Sequence, residues 1–130
     1  MPARCATNTG ILYKGTINHA DGGIRELPIL DCVAQLQVVL VLDTNADGVP
    51  DSFQTASFAG TAEQIRTQLK EIRVYILAHE GQRDTGYTSP VMRIIDPDSG
   101  TTPIDFTPTG DLLNFRWKIY TLVVKPYNLR

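Results

Sequence analysis

"TAEQIRTQLKEIRVYILAH", residues 61–79, carries two periodicities end to end, and the point where one gives way to the other decides the fold. Thr61 followed three residues later by Gln64 can form a capping box, in which each side chain covers the other residue's backbone N–H. Ala62, Ile65, Leu69 and Ile72 then recur at i, i+3, i+7 and i+10, one face of an amphipathic helix. In "RVYILAH" Val74 and Ile76 face one side while Tyr75 and Leu77 face the other, the pattern of a strand buried on both faces. The spacing predicts one main helix over about 61–72 feeding directly into a central strand.

Towards the N-terminus, "LPILDCVAQLQVVLVL" (27–42) is almost uninterrupted apolar sequence. Its end, "VVLVL", belongs inside a sheet or under a helix, because both faces of such a strand need cover. Ile29, Leu30, Val33 and Leu36 sit at helical spacing and predict a short helical turn leading into the strand, although extended structure fits the same residues. Towards the C-terminus, residues 80–111 are rich in Gly, Pro, Asp and Thr and predict turns, with one short strand at "VMRII" (91–95). In "LLNFRWKIYTLVV" (112–124), Leu113, Phe115, Trp117 and Ile119 alternate with Asn114, Arg116 and Lys118, as in a half-buried strand with one wet face.

At 130 residues the chain suits a single globular domain, 1–130, large enough to bury a core. A net charge of −2 and scattered Lys and Arg residues predict no nucleic-acid partner. No apolar run approaches the roughly 18 to 20 residues that cross a bilayer, and "MPARCATNTG" has neither the charged start nor the apolar middle of a signal peptide, so the chain reads as soluble as written. Cys5 and Cys32 cannot make a zinc site alone and do not resemble a redox CxxC pair. Their spacing fits equally a disulfide, worth about 3 to 4 kcal/mol, or two buried free thiols.

The segment "VLDTNADGVPDSF" (41–53) runs from apolar strand into a ladder of oxygen donors. Asp43, Asn45 and Asp47 occupy positions 1, 3 and 5 of a calcium loop, Gly48 gives the sharp turn at 6, Val49 offers its carbonyl at 7 and Asp51 stands at 9. Gln54 replaces the bidentate Glu at position 12, so a full EF-hand is not supported. The other reading is a plain hairpin turn, for which "NADG" is equally suited.

Nothing in the sequence assembles catalytic machinery. His19 lies in a polar loop and His79 at the end of the buried strand, where packing is the commoner role. No GxSxG elbow, phosphate-binding glycine loop or HExxH helix is present, and the expectation is a protein that is not an enzyme.

Taken in order, "LPILDCVAQLQVVLVLDTNADGVPDSF", "TAEQIRTQLKEIRVYILAHEGQRDTGYTSP" and "FRWKIYTLVVKPYNLR" resemble the C-terminal globular part of PilW-type minor pilins of type IV pilus assembly. The resemblance runs from about Cys5 to Arg130. It rests on a cysteine and an acidic loop flanking an apolar strand, a helix running into an R-V-x-x-L strand, and a terminal strand ending in an Asn-Leu-basic tail. It implies an α+β, type IV pilin-like head, with an antiparallel sheet packed on the C-terminal half of a long N-terminal helix. The implied role is structural, at or near the pilus tip or in the priming complex, with the other minor pilins and the major pilin as partners. The implied location is the periplasmic face of the inner membrane, or the extracellular pilus, of a Gram-negative bacterium. That setting implies an oxidised Cys5–Cys32 pair and makes calcium available to the 43–51 loop.

The sequence departs from the pattern in lacking the basic leader and the long apolar helix, so membrane attachment would come only through a helix absent from these residues. The chain reads as an excised head or a helix-less product. A sheet face without its helix should expose an apolar strip, expected to include part of the Leu113, Phe115, Trp117 and Ile119 row and to permit self-association. The alternative is that this row packs on the helix at 62–72. The competing functions are a J-type pseudopilin of type II secretion and a secreted calcium-dependent binding or adhesion module.

Overall fold

A computed structural model describes residues 2–55, 60–95 and 103–126. The terminal Asn-Leu-basic tail and most of the "DPDSGTTP" turn lie outside them. The strands are β1 (Gly10–Ile17), β2 (Ile24–Leu42), β3 (Ser52–Gln54), β4 (Leu69–Glu80), β5 (Met92–Ile95), β6 (Ile104–Phe106) and β7 (Arg116–Val124). One α-helix, α1 (Ala62–Gln68), precedes β4, and a 3-10 turn at Gly110–Asn114 precedes β7. A five-stranded sheet has the order β1-β2-β4-β7 with β3 also paired to β2, and β5 and β6 form a two-stranded sheet.

The capping box forms as its residues dictate. Thr61 Oγ1 accepts from the Gln64 N–H at 3.2 Å and Gln64 Oε1 accepts from the Thr61 N–H at 2.8 Å. The helix then stops at Gln68, because Leu69 turns to extended backbone (φ −68, ψ 123) and opens β4. Energetics account for the early stop. The helix has no buried residue, so extending it would leave Leu69 out of the core, whereas in β4 Leu69 is 7% exposed. Burying a leucine is worth about 1.5 to 3 kcal/mol, against a few tenths of a kcal/mol per residue for helix propensity. Among the described residues strand accounts for 51% and helix for 11%, the latter being α1 together with the 3-10 turn, so the fold is mostly antiparallel β. The α+β pilin-like head with a main helix over 61–72 is therefore corrected.

The helical turn predicted around Ile29 to Leu36 is also replaced by strand, since β2 runs unbroken from Ile24 to Leu42. A β-bulge explains the misleading spacing. Gly10 pairs with Val33 and Leu12 with Leu30, so Asp31 and Cys32 together face Ile11 alone. Cys32 takes up the extra residue with φ +58, which shifts the in-out phase of the strand.

By internal contacts the chain divides into two compact units. Of the described residues, the first contains those up to Gln35 and those within Leu77–Pro90 and Pro108–Lys118; the second contains those within Leu36–Ile76 and Val91–Thr107 and those from Ile119 on. Buried in the first are Cys32, Leu77, Ala78, His79, Phe115 and Trp117. Buried in the second are Val39, Val41, Leu42, Leu69, Ile76 and Ile95. The unbroken buried run Tyr75 to His79 in β4 matches the expected strand covered on both faces. Among the described residues no helix is long and apolar enough to cross a membrane.

Candidate functional site

In the second unit the acidic loop is the connection of a β2–β3 hairpin, with Leu42 paired to Ser52 and Leu40 to Gln54. The Asp51 N–H closes it onto the Leu42 carbonyl at 2.9 Å. Asp43, the first residue past β2, is held by its own N–H on the Gln68 carbonyl at 2.8 Å and is only 3% exposed. Its Oδ2 accepts from the Gly48 N–H at 2.8 Å, while its Oδ1 is buried and has no hydrogen-bond donor. Gly48 makes the turn with φ +84, a conformation glycine adopts without a Cβ penalty.

The other donors sit around the same turn. Asn45 Oδ1 accepts from the Asp47 N–H at 3.3 Å and Asp47 Oδ1 from the Val49 N–H at 2.8 Å. Asp51 Oδ1 accepts from both the backbone N–H (2.9 Å) and the hydroxyl (2.8 Å) of Thr44. The Thr44 bonds hold the Asp51 carboxyl below the usual carboxylate range. Asp43, Asn45, Asp47, Val49 and Asp51 thus lie on one hairpin connection. The three carboxylates are not drawn together to the spacing of a formed metal cluster. Sequence reasoning found the donor ladder but not the burial of Asp43 or the role of Thr44.

In the first unit Cys5 and Cys32 form a disulfide with Cα atoms 4.9 Å apart. The bulge brings Cys32 into the core, where it is fully buried. His79 lies beside the bond, and its Nε2 accepts from the Ala6 N–H at 2.9 Å. Its ring packs on Phe115 (centroids 4.4 Å) and edge-on to Trp117 (5.2 Å). Burial lowers the His79 pKa from its usual value, because a charged imidazolium is disfavoured there. Ligand atoms of Cys5, Cys32 and His79 lie within 4.8 Å of one another, the one such cluster among the described residues. With both sulfurs in a disulfide, neither is the thiolate that a metal would need.

The row expected to contribute part of an exposed strip is buried or half-buried throughout. Phe115 and Trp117 are each 6% exposed around His79, and the Trp117 Nε1–H donates to the Leu112 carbonyl at 2.8 Å. Leu113 and Ile119 are half-buried. Exposed apolar side chains occur instead at the far end of β7, where Leu122 and Val123 are each 53% exposed and Val124 is also exposed. In the first unit Ile17, Ile24, Leu27 and Ile29 of the β1–β2 hairpin are exposed as well.

No family model matches the chain, and neither a curated protein nor a solved structure shows significant similarity to it.

Proposed function

We propose that the chain is a structural component of an extracytoplasmic assembly, of the minor-pilin type its sequence resembles, and that it acts by binding other pilin subunits. The observation that carries this is the end of β7. Three consecutive apolar residues, Leu122, Val123 and Val124, stand in water on a strand at the edge of the sheet. Successive side chains of a strand point to opposite faces, so both faces of this segment are uncovered. An exposed apolar edge of this kind pairs readily with another chain, through its backbone and its side chains together.

The Cys5–Cys32 disulfide supports placement at the periplasmic face of the inner membrane or in the pilus, where such bonds persist. Other minor pilins and the major pilin are the proposed partners. A J-type pseudopilin would use the same surface, and the genes flanking the coding sequence separate the two. Photo-crosslinking from Val124 in cells tests the binding role: adducts with pilin subunits are expected, and their absence while surface pili form would overturn it.

A further inference from the structure

We propose that the loop from Asp43 to Gln54 is a site for a hard divalent cation, calcium, with Asp43 Oδ1 as its first ligand. The inference stands on the loop itself and is independent of the assembly role. Asp43 is a buried carboxylate with one oxygen satisfied by the Gly48 N–H and the other by nothing. A buried anion with an unpaired oxygen is costly. A cation relieves it.

The surroundings meet the other requirements. Segment 41–54 contains three carboxylates and no Lys or Arg, so the charge at the loop is uncompensated by its own residues. The two oxygens of Asp43 divide the work: Oδ2 holds the turn closed through Gly48, and Oδ1, on the same carbon, is left buried and unpaired. Asn45 and Asp47 each give one side-chain oxygen to a loop N–H, and an oxygen that accepts one hydrogen bond still has a second lone pair. The Val49 carbonyl completes the alternate-residue ladder, and Asp51, already held by Thr44, reaches the ion through water.

Gln54 stands where a bidentate Glu would be, and its amide nitrogen donates to Ser52 Oγ at 2.9 Å. A neutral side chain there lowers the ligand charge and sets a weak site, with Kd on the order of 10⁻⁴ to 10⁻³ M, the range of extracellular calcium modules. The ion would clip the end of β2 to the start of β3.

Calorimetric titration of calcium chloride into the chelator-stripped chain, with thermal melts at matched concentrations, tests the site. The expected result is one calcium per chain, a rise in Tm, and little response to magnesium. Asp43→Asn should abolish binding. Asp47→Asn, at an exposed position that leaves the core intact, should weaken it by about tenfold or more through the lost ligand charge. No heat and no Tm shift up to about 10 mM calcium would overturn the proposal, since that concentration exceeds the expected Kd at least about tenfold. Binding that survives both substitutions would overturn it as well.

Discussion

His79 Nε2 accepts a hydrogen bond from the Ala6 N–H across 73 residues of sequence, immediately beside the Cys5–Cys32 disulfide. The bond requires a neutral imidazole, because a protonated Nε2 would present one donor to another. Burial already pushes the His79 pKa below the usual value of 6.5, so the unfolded chain binds the proton more tightly than the folded one. Stability from this group is therefore complete above the unfolded value and is lost as pH falls through the folded one. Urea midpoints should be level from about pH 8 to 7 and decline towards pH 5, and His79→Phe should flatten that decline.

The disulfide should contribute in proportion to the loop that it closes. Cys5 and Cys32 are 27 residues apart, for which chain entropy gives about 3 to 4 kcal/mol. Reducing the bond, or making the Cys5→Ser, Cys32→Ser double variant, should lower the unfolding free energy by about that amount. Because Ala6 follows Cys5 in the chain, reduction should also loosen the Ala6–His79 bond and make the decline of stability towards acid pH shallower than in the oxidised protein.

Two apolar positions on one strand should behave oppositely. Trp117→Ala empties a buried position packed on His79 and should cost about 3 to 5 kcal/mol. Leu122→Ala removes an exposed side chain and should change stability by less than about 0.5 kcal/mol. Equilibrium denaturation of the two variants distinguishes buried from exposed positions along β7.

The cap on α1 should matter locally. Thr61→Ala removes the hydroxyl that accepts from the Gln64 N–H, a loss of about 1 kcal/mol. Since α1 has no buried residue, the loss should appear as faster amide exchange in 62–68 with little change in global Tm.

How much of this was legible in the sequence follows from the range of each signal. The capping box is local chemistry between Thr61 and Gln64, and the Phe115 and Trp117 alternation is a strict period of two, so both read directly. The end of α1 did not, because Leu69 and Ile72 satisfy a helical face while also opening a strand, and burial in the sheet makes the choice. Ile29, Leu30, Val33 and Leu36 imitated a helix because the bulge at Asp31 and Cys32 inserts one residue into the strand period. Strands β3 and β6, three residues each, are too short to show any period. The oxygen ladder of the loop was visible, but which oxygen is buried depends on the Asp43 contact with Gln68, 25 residues further along the chain.

The most direct measure of the central claim is the number of surface pili on cells lacking the coding sequence, complemented with the natural chain or with Leu122→Asp, Val124→Asp. Electron microscopy should show pili lost in the deletion strain, restored by the natural chain and not restored by the folded double variant. Normal piliation in the deletion strain would contradict a role in pilus assembly, and full rescue by the double variant would contradict docking through β7.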